Sequence, residues 1–88
     1  MRWTVAISDR ADAGDAIAET VAAVRSELPS IDLAVVFASP TVARARAIGP
    51  QLAAMNARVI VGCSGTGVIG AAHEIEDRPA VSITAAHL

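Results

Sequence analysis

The hydrophobic positions of this chain change period several times, and each change marks an element. Trp3, Val5 and Ile7 alternate with their neighbours at the two-residue period of a strand, which Ser8, Asp9 and Arg10 end. Ile17, Val21, Val24 and Leu28 then recur at helical spacing while Glu19, Arg25 and Glu27 fall elsewhere on the cylinder, predicting an amphipathic helix from Ala13 to Leu28. Asp12 or Asp15 can cap it, and Pro29 stops it. Residues 31–38 are nearly continuous in apolar side chains, which predicts a strand covered on both faces and central in a parallel sheet. Ser39-Pro40-Thr41 reads as a helix start, with Ser39 as the cap and Pro40 at the first helical position. Ala45, Ile48, Leu52 and Met55 mark a second apolar face over 41–56, and Gly49-Pro50 predicts a kink or two short helices in tandem.

Arg58 to Gly62 forms the third predicted strand, and the order βαβαβ predicts an α/β fold with a mostly parallel sheet. Beyond it, Ala72–Glu76 and Ala80–Ala85 flank the polar turn Glu76-Asp77-Arg78-Pro79 and predict a C-terminal β-hairpin. The chain reads as a single domain over 1–88, or an incomplete one.

Composition sharpens that picture. Of the residues, 53% are hydrophobic and only 2% aromatic, so the interior must be built from Ala, Val, Ile and Leu. A domain this small buries roughly 60–65% of the surface its unfolded chain exposes, so apolar area is left over for self-association or for the remainder of a larger domain. Seven arginines, no lysine and nine acidic residues give a formal net charge of −2. That balance disfavours nucleic acid, and the missing lysine removes P-loop and Schiff-base chemistry. One cysteine allows no internal disulfide, no apolar run is long enough for a membrane span, and the cytoplasm is the expected compartment.

The most informative stretch is Gly62-Cys63-Ser64-Gly65-Thr66-Gly67-Val68-Ile69-Gly70, after the apolar run Val59-Ile60-Val61. Its glycines permit positive φ and close backbone approach to a ligand, whose polar group would meet the backbone N–H donors of Cys63 to Gly67 as an anion-friendly nest. Gly62, Cys63, Ser64, Gly65, Thr66, Gly67 and the nearby carboxylate of Glu74 are the candidate ligand-binding residues. Gly65-x-Gly67-x-x-Gly70 also fits a dinucleotide-binding turn, although too little chain follows for the rest of that unit. A nucleophile elbow fails because Thr66 stands where glycine is required, so no catalytic residue is assigned. Cys63 could be a reactive thiol assisted by His73 or His87, or a small buried group packing like alanine. His73 and Glu74 adjoin on an extended segment and point to opposite faces, so they support no metal site. No cofactor is implied. Trp3 reads as a half-buried anchor at the sheet's edge.

Gly62-Cys63-Ser64, Gly67-Val68-Ile69-Gly70, Glu74-Ile75-Glu76 and Pro79-Ala80-Val81-Ser82, in that order, resemble the FIST family of sensory domains. Val35-Val36-Phe37-Ala38-Ser39-Pro40 is similar to the family's strand-to-helix junction. The resemblance implies a sensory, signal-transducing module that binds a small molecule, an amino acid or related metabolite, and is not an enzyme. Its alternatives are a nucleotide-binding domain using residues 65–70, and a truncated, non-catalytic interaction remnant.

Overall fold

The computed structural model describes residues 1–46, 48–64, 67–70, 73–76 and 80–88, the stretches 67–70 and 73–76 by their backbone alone. Strand β1 (Arg2–Ser8) leads into helix α1 (Ala13–Glu27), followed by β2 (Leu33–Ala38), the short helices α2 (Pro40–Ala43) and α3 (Ile48–Ala53), and β3 (Val59–Ser64). Strands β4 (Gly67–Gly70), β5 (His73–Glu76) and β6 (Val81–His87) complete the order.

Helix α1 forms where the period predicts it. Asp12 Oδ1 accepts the amide of Asp15 at 2.9 Å, satisfying one of the free donors of the first turn. Ala16, Ile17, Thr20, Val21 and Val24 are its buried face. Thr20 is polar yet fully buried, and its hydroxyl is satisfied by donating to the carbonyls of Ala16 and Ile17. On the outer face Glu19 pairs with Arg10, and the hydrogen bond and charge raise the guanidinium above its ordinary pKa.

The tandem short helices are present, but α2 ends before residues 44–46 and Gly49-Pro50 lies inside α3. Pro50 is the third residue of α3, in a first turn where its missing donor costs nothing. Ser39 occupies the N-cap position of α2 without making a cap bond. Its hydroxyl instead accepts the amide of Ala80 at 3.0 Å, and its own amide donates to the carbonyl of Ala80 at 2.8 Å. Ser39 therefore clips the end of β2 to the start of β6.

The sheet corrects the expected topology. Its order is β1-β6-β2-β3, with β2 and β3 parallel and β6 antiparallel to both β1 and β2. It is mixed, not mostly parallel, because the last strand inserts between the first two. The expected hairpin of β5 with β6 does not form. β5 pairs with β4 in a separate two-stranded sheet, β6 goes to the main one, and β4 lies near β6 and β1.

Register sorts the side chains into two faces. Thr4, Ala85, Ala34 and Ile60 lie level on the inner face, as do Ala6, Ile83, Val36 and Gly62. With α1 above them, Ile17, Val24, Val36, Val81 and Ile83 make the core, each such side chain contributing roughly 1.5–3 kcal/mol by burial. The outer face runs in rows Trp3-Ala86-Leu33-Val59, Val5-Thr84-Val35-Val61 and Ile7-Ser82-Phe37-Cys63. Trp3 is 53% exposed, Phe37 46%, Val59 53% and Val61 49%. β2 is thus interior to the sheet as expected but covered on its inner face, with Phe37 open to solvent. The apolar excess foreseen from composition is visible here.

Candidate functional site

β3 runs two residues further than its apolar pattern suggests. It continues beside β2 through Gly62, Cys63 and Ser64, opposite Val36, Phe37 and Ala38. These three are strand residues and not the start of a glycine turn, because β2 offers ladder partners as far as Ala38. Alternation then sends Gly62 and Ser64 to the inner face and Cys63 to the outer face beside Phe37.

On the inner face, over the carboxyl ends of β2 and β3, lies an open cleft of about 250 Å³. Val36 and Ala38 of β2, Ala43 of α2, Ile48 and Leu52 of α3, and Gly62, Cys63 and Ser64 of β3 line it. Residues of both short helices thus face the same cleft as the ends of β2 and β3. Its lining is mostly aliphatic, with Cys63 and Ser64 as the residues that carry heteroatoms in their side chains. A Cβ placed on Gly62 would meet only the Val36 carbonyl oxygen at 3.9 Å, so Gly62 keeps space open and is not forced by backbone strain. The end of a strand in an open α/β sheet is where such sheets place ligands.

The other expected site residues divide. Gly65 and Thr66 lie outside the described residues. Gly67 opposes Glu76 at one end of the β4–β5 hairpin, and Glu74 opposes Ile69. Among the described residues no glycine has positive φ, and the one left-handed residue is Asn56, with φ 55°. Successive amides of an extended strand point to opposite sides, so Cys63 and Ser64 do not converge their N–H groups as a nest would. Gly67–Gly70 is a strand and opens no helix. That removes the helix N-terminus on which a dinucleotide pyrophosphate would sit, and with it the geometry of the nucleotide alternative.

Cys63 is a free, exposed thiol and not the buried packing group. His87 cannot assist it. On β6 it stands opposite Arg2, five residues from the Ser82 row that holds Cys63, roughly 17 Å along the strand. The side chain of His73 lies outside the described residues.

The sequence reading missed a polar cluster at the opposite end of the sheet. Ser30 Oγ is 2.8 Å from His87 Nδ1, while Asp32 Oδ2 lies 3.8 Å from the same nitrogen and accepts the Leu88 amide at 2.8 Å. Arg58 Nη1 is 3.9 Å from Asp32 Oδ1. Serine and carboxylate both face one ring nitrogen, so no relay through the imidazole exists, and the cluster ties the ends of β2, β3 and β6 together. Only the register, which brings position 87 beside position 30, makes it visible. Among the described residues no group of three His, Cys, Asp or Glu could hold a metal ion.

A model of the FIST N domain matches residues 32–88, the stretch from β2 through the cleft, the hairpin and β6. The chain belongs to the FIST family. Neither a curated protein nor a solved structure matches it. FIST domains are sensory domains of signal transduction, and this one carries its cleft, Gly62-Cys63-Ser64 and the hairpin strands all inside the matched stretch. β1 and α1 precede that stretch, yet β1 supplies the outer partner of β6 and α1 the main cover of the core. Among the described residues, no helix of this FIST domain is long and apolar enough to cross a membrane.

Proposed function

We propose that the chain is a ligand-binding sensory module without catalysis, and that its ligand is an amino acid with an aliphatic side chain or a closely related metabolite. The observation that carries this reading is the aliphatic cleft at the carboxyl ends of β2 and β3, within the part of the chain that matches the family. At about 250 Å³ it has room for a branched aliphatic side chain. Ser64, which lines the cleft, can accept or donate one hydrogen bond, and the backbone amides of the following residues to Gly67 are the proposed partners of the ligand carboxylate. Glu74, on the hairpin that follows, is the proposed partner of the ammonium group.

Titration calorimetry of the whole chain against a panel of amino acids and nucleotides tests this. Saturable binding of an aliphatic amino acid is expected, with no binding of nucleotides and no turnover. Gly62→Leu, which fills the cleft from its floor, should abolish binding while leaving the melting curve intact. Gly67→Val should do the same from the hairpin side, and Glu74→Gln should weaken binding. Undiminished binding in folded Gly62→Leu protein would place the ligand elsewhere.

A further inference from the structure

We infer that two copies of the chain pair antiparallel through their β3 edges, and that each copy thereby brings its Ile60 beside a residue that lines the other's cleft. β3 ends the sheet order with no strand beyond it among the described residues, and all six of its residues are exposed, including Ile60 at 38% on the inner face. Natural sheets guard such an edge with a charge, a proline, a bulge or a covering element, since its unpaired amides and carbonyls are a template for another strand. Val59-Ile60-Val61-Gly62-Cys63-Ser64 has no charge and no proline, and its pairing with β2 runs through six successive partners without a bulge. The other edge, β1, opens on Arg2 and has β4 nearby.

Symmetry selects the partner and limits the register. An edge that must accept an identical edge closes as a dimer about a two-fold axis perpendicular to the sheet, which keeps both helical layers on the same side. Directly opposed residues must then point to the same face, so even positions meet even and odd meet odd. Two registers keep five residues of β3 in overlap, about 17 Å of edge: Val61 opposite Val61, or Gly62 opposite Gly62. In the first, Ile60 of the second copy stands opposite Gly62, and in the second it stands opposite Ser64. Gly62 and Ser64 both line the cleft. Either register therefore brings an exposed isoleucine beside a residue of β3 that lines the cleft, and covers an apolar side chain that a monomer leaves wet. The pairing stands on β3 itself and holds whether or not the cleft takes an amino acid.

Sedimentation equilibrium of the full 88-residue chain is expected to give twice the 8.9 kDa chain mass, with Val61→Lys weakening association at least tenfold. In a Cys63→Ser background, either Val61→Cys or Gly62→Cys should oxidise to a covalent dimer, because directly opposed residues bring their Cα atoms within disulfide range. Ala53→Cys, exposed on α3, should not. Circular dichroism verifies the fold of each variant, and if Val61→Lys unfolds, the cysteine pair decides. A monomer at millimolar concentration overturns the inference. So does open-ended assembly, or a dimer that survives Val61→Lys and is captured by neither cysteine.

Discussion

Ser39 offers the sharpest test of how this fold is held. As an N-cap it would belong to α2 alone, and its loss would be a local matter. Instead its hydroxyl takes the Ala80 amide at 3.0 Å in a place where Ser39 is 6% exposed and Ala80 is fully buried. Ser39→Ala leaves that amide without a partner and without water, which costs about 1–3 kcal/mol. A domain of this size has roughly 4–13 kcal/mol of total stability, so the loss is a large fraction of it. At ~4–8 °C per kcal/mol, a cost near 2 kcal/mol lowers Tm by roughly 8–16 °C. Thermal and urea unfolding measure the magnitude, and amide hydrogen exchange at Ala80 shows whether the loss is at the clip. Ser39→Asp separates the two roles. Aspartate caps helices as well as serine does, but at the clip its longer, charged side chain must be buried where the serine hydroxyl fits, so stability should fall. A Ser39→Ala variant within about 0.5 kcal/mol of the parent with Ala80 exchange unchanged, or a stabilised Ser39→Asp, would refute the clip.

Three further outcomes are expected. Gln51 Oε1 is buried without a hydrogen-bond partner among the described residues, so Gln51→Met should raise stability by about 1 kcal/mol in urea unfolding, an unchanged midpoint arguing for a partner in solution. Asp12→Ala removes the cap bond to Asp15 and should cost about 1 kcal/mol, with the loss of helicity at the start of α1 seen by exchange of the first-turn amides. Cys63, exposed beside Phe37, should react with a maleimide in the folded protein at least as fast as in urea when the protein is dilute, and protection would mean that the outer face of β3 is covered.

What the sequence discloses is what its periods encode. Ile17, Val21, Val24 and Leu28 lie three or four residues apart, and all four are buried. The apolar run at 31–38 announces a strand, but a run of that kind does not say whether the same chain covers its second face, and Phe37 is left open. Strand order was illegible for a different reason. Val81, Ile83 and Ala85 alternate with Ser82, Thr84 and Ala86 as any half-buried strand would, and nothing local tells that Ile83 will sit between Ala6 and Val36. Ser39 looks like a cap because serine before proline normally is one, and its true partner is 41 residues away. At the candidate site, Gly62, Cys63 and Ser64 stand out in the sequence as part of a glycine-rich stretch, but nothing local shows that β3 continues through Ser64. Ile48 and Leu52 look in the sequence only like helix core, since the expected interruption at Gly49-Pro50 lies inside α3 and not ahead of it.

Placing the last strand in the middle of the sheet also decides when the sheet can exist. Among the described residues β1 has β6 as its only strand neighbour in the sheet, and β2 meets β1 only across it. While the protein is being synthesised, β1, α1, β2 and β3 are made before residues 81–87 leave the ribosome, so the first strand must wait unpaired until the ninth decade of residues emerges. Joining ends this distant in sequence carries a loop-closure cost before any contact rewards it, which makes folding slow and late compared with a sheet built strand by strand. In that interval β2 and β3 are the one pair of the main sheet able to form among the described residues, with apolar edges on both sides, and the nascent chain is most open to chaperones or to misassociation.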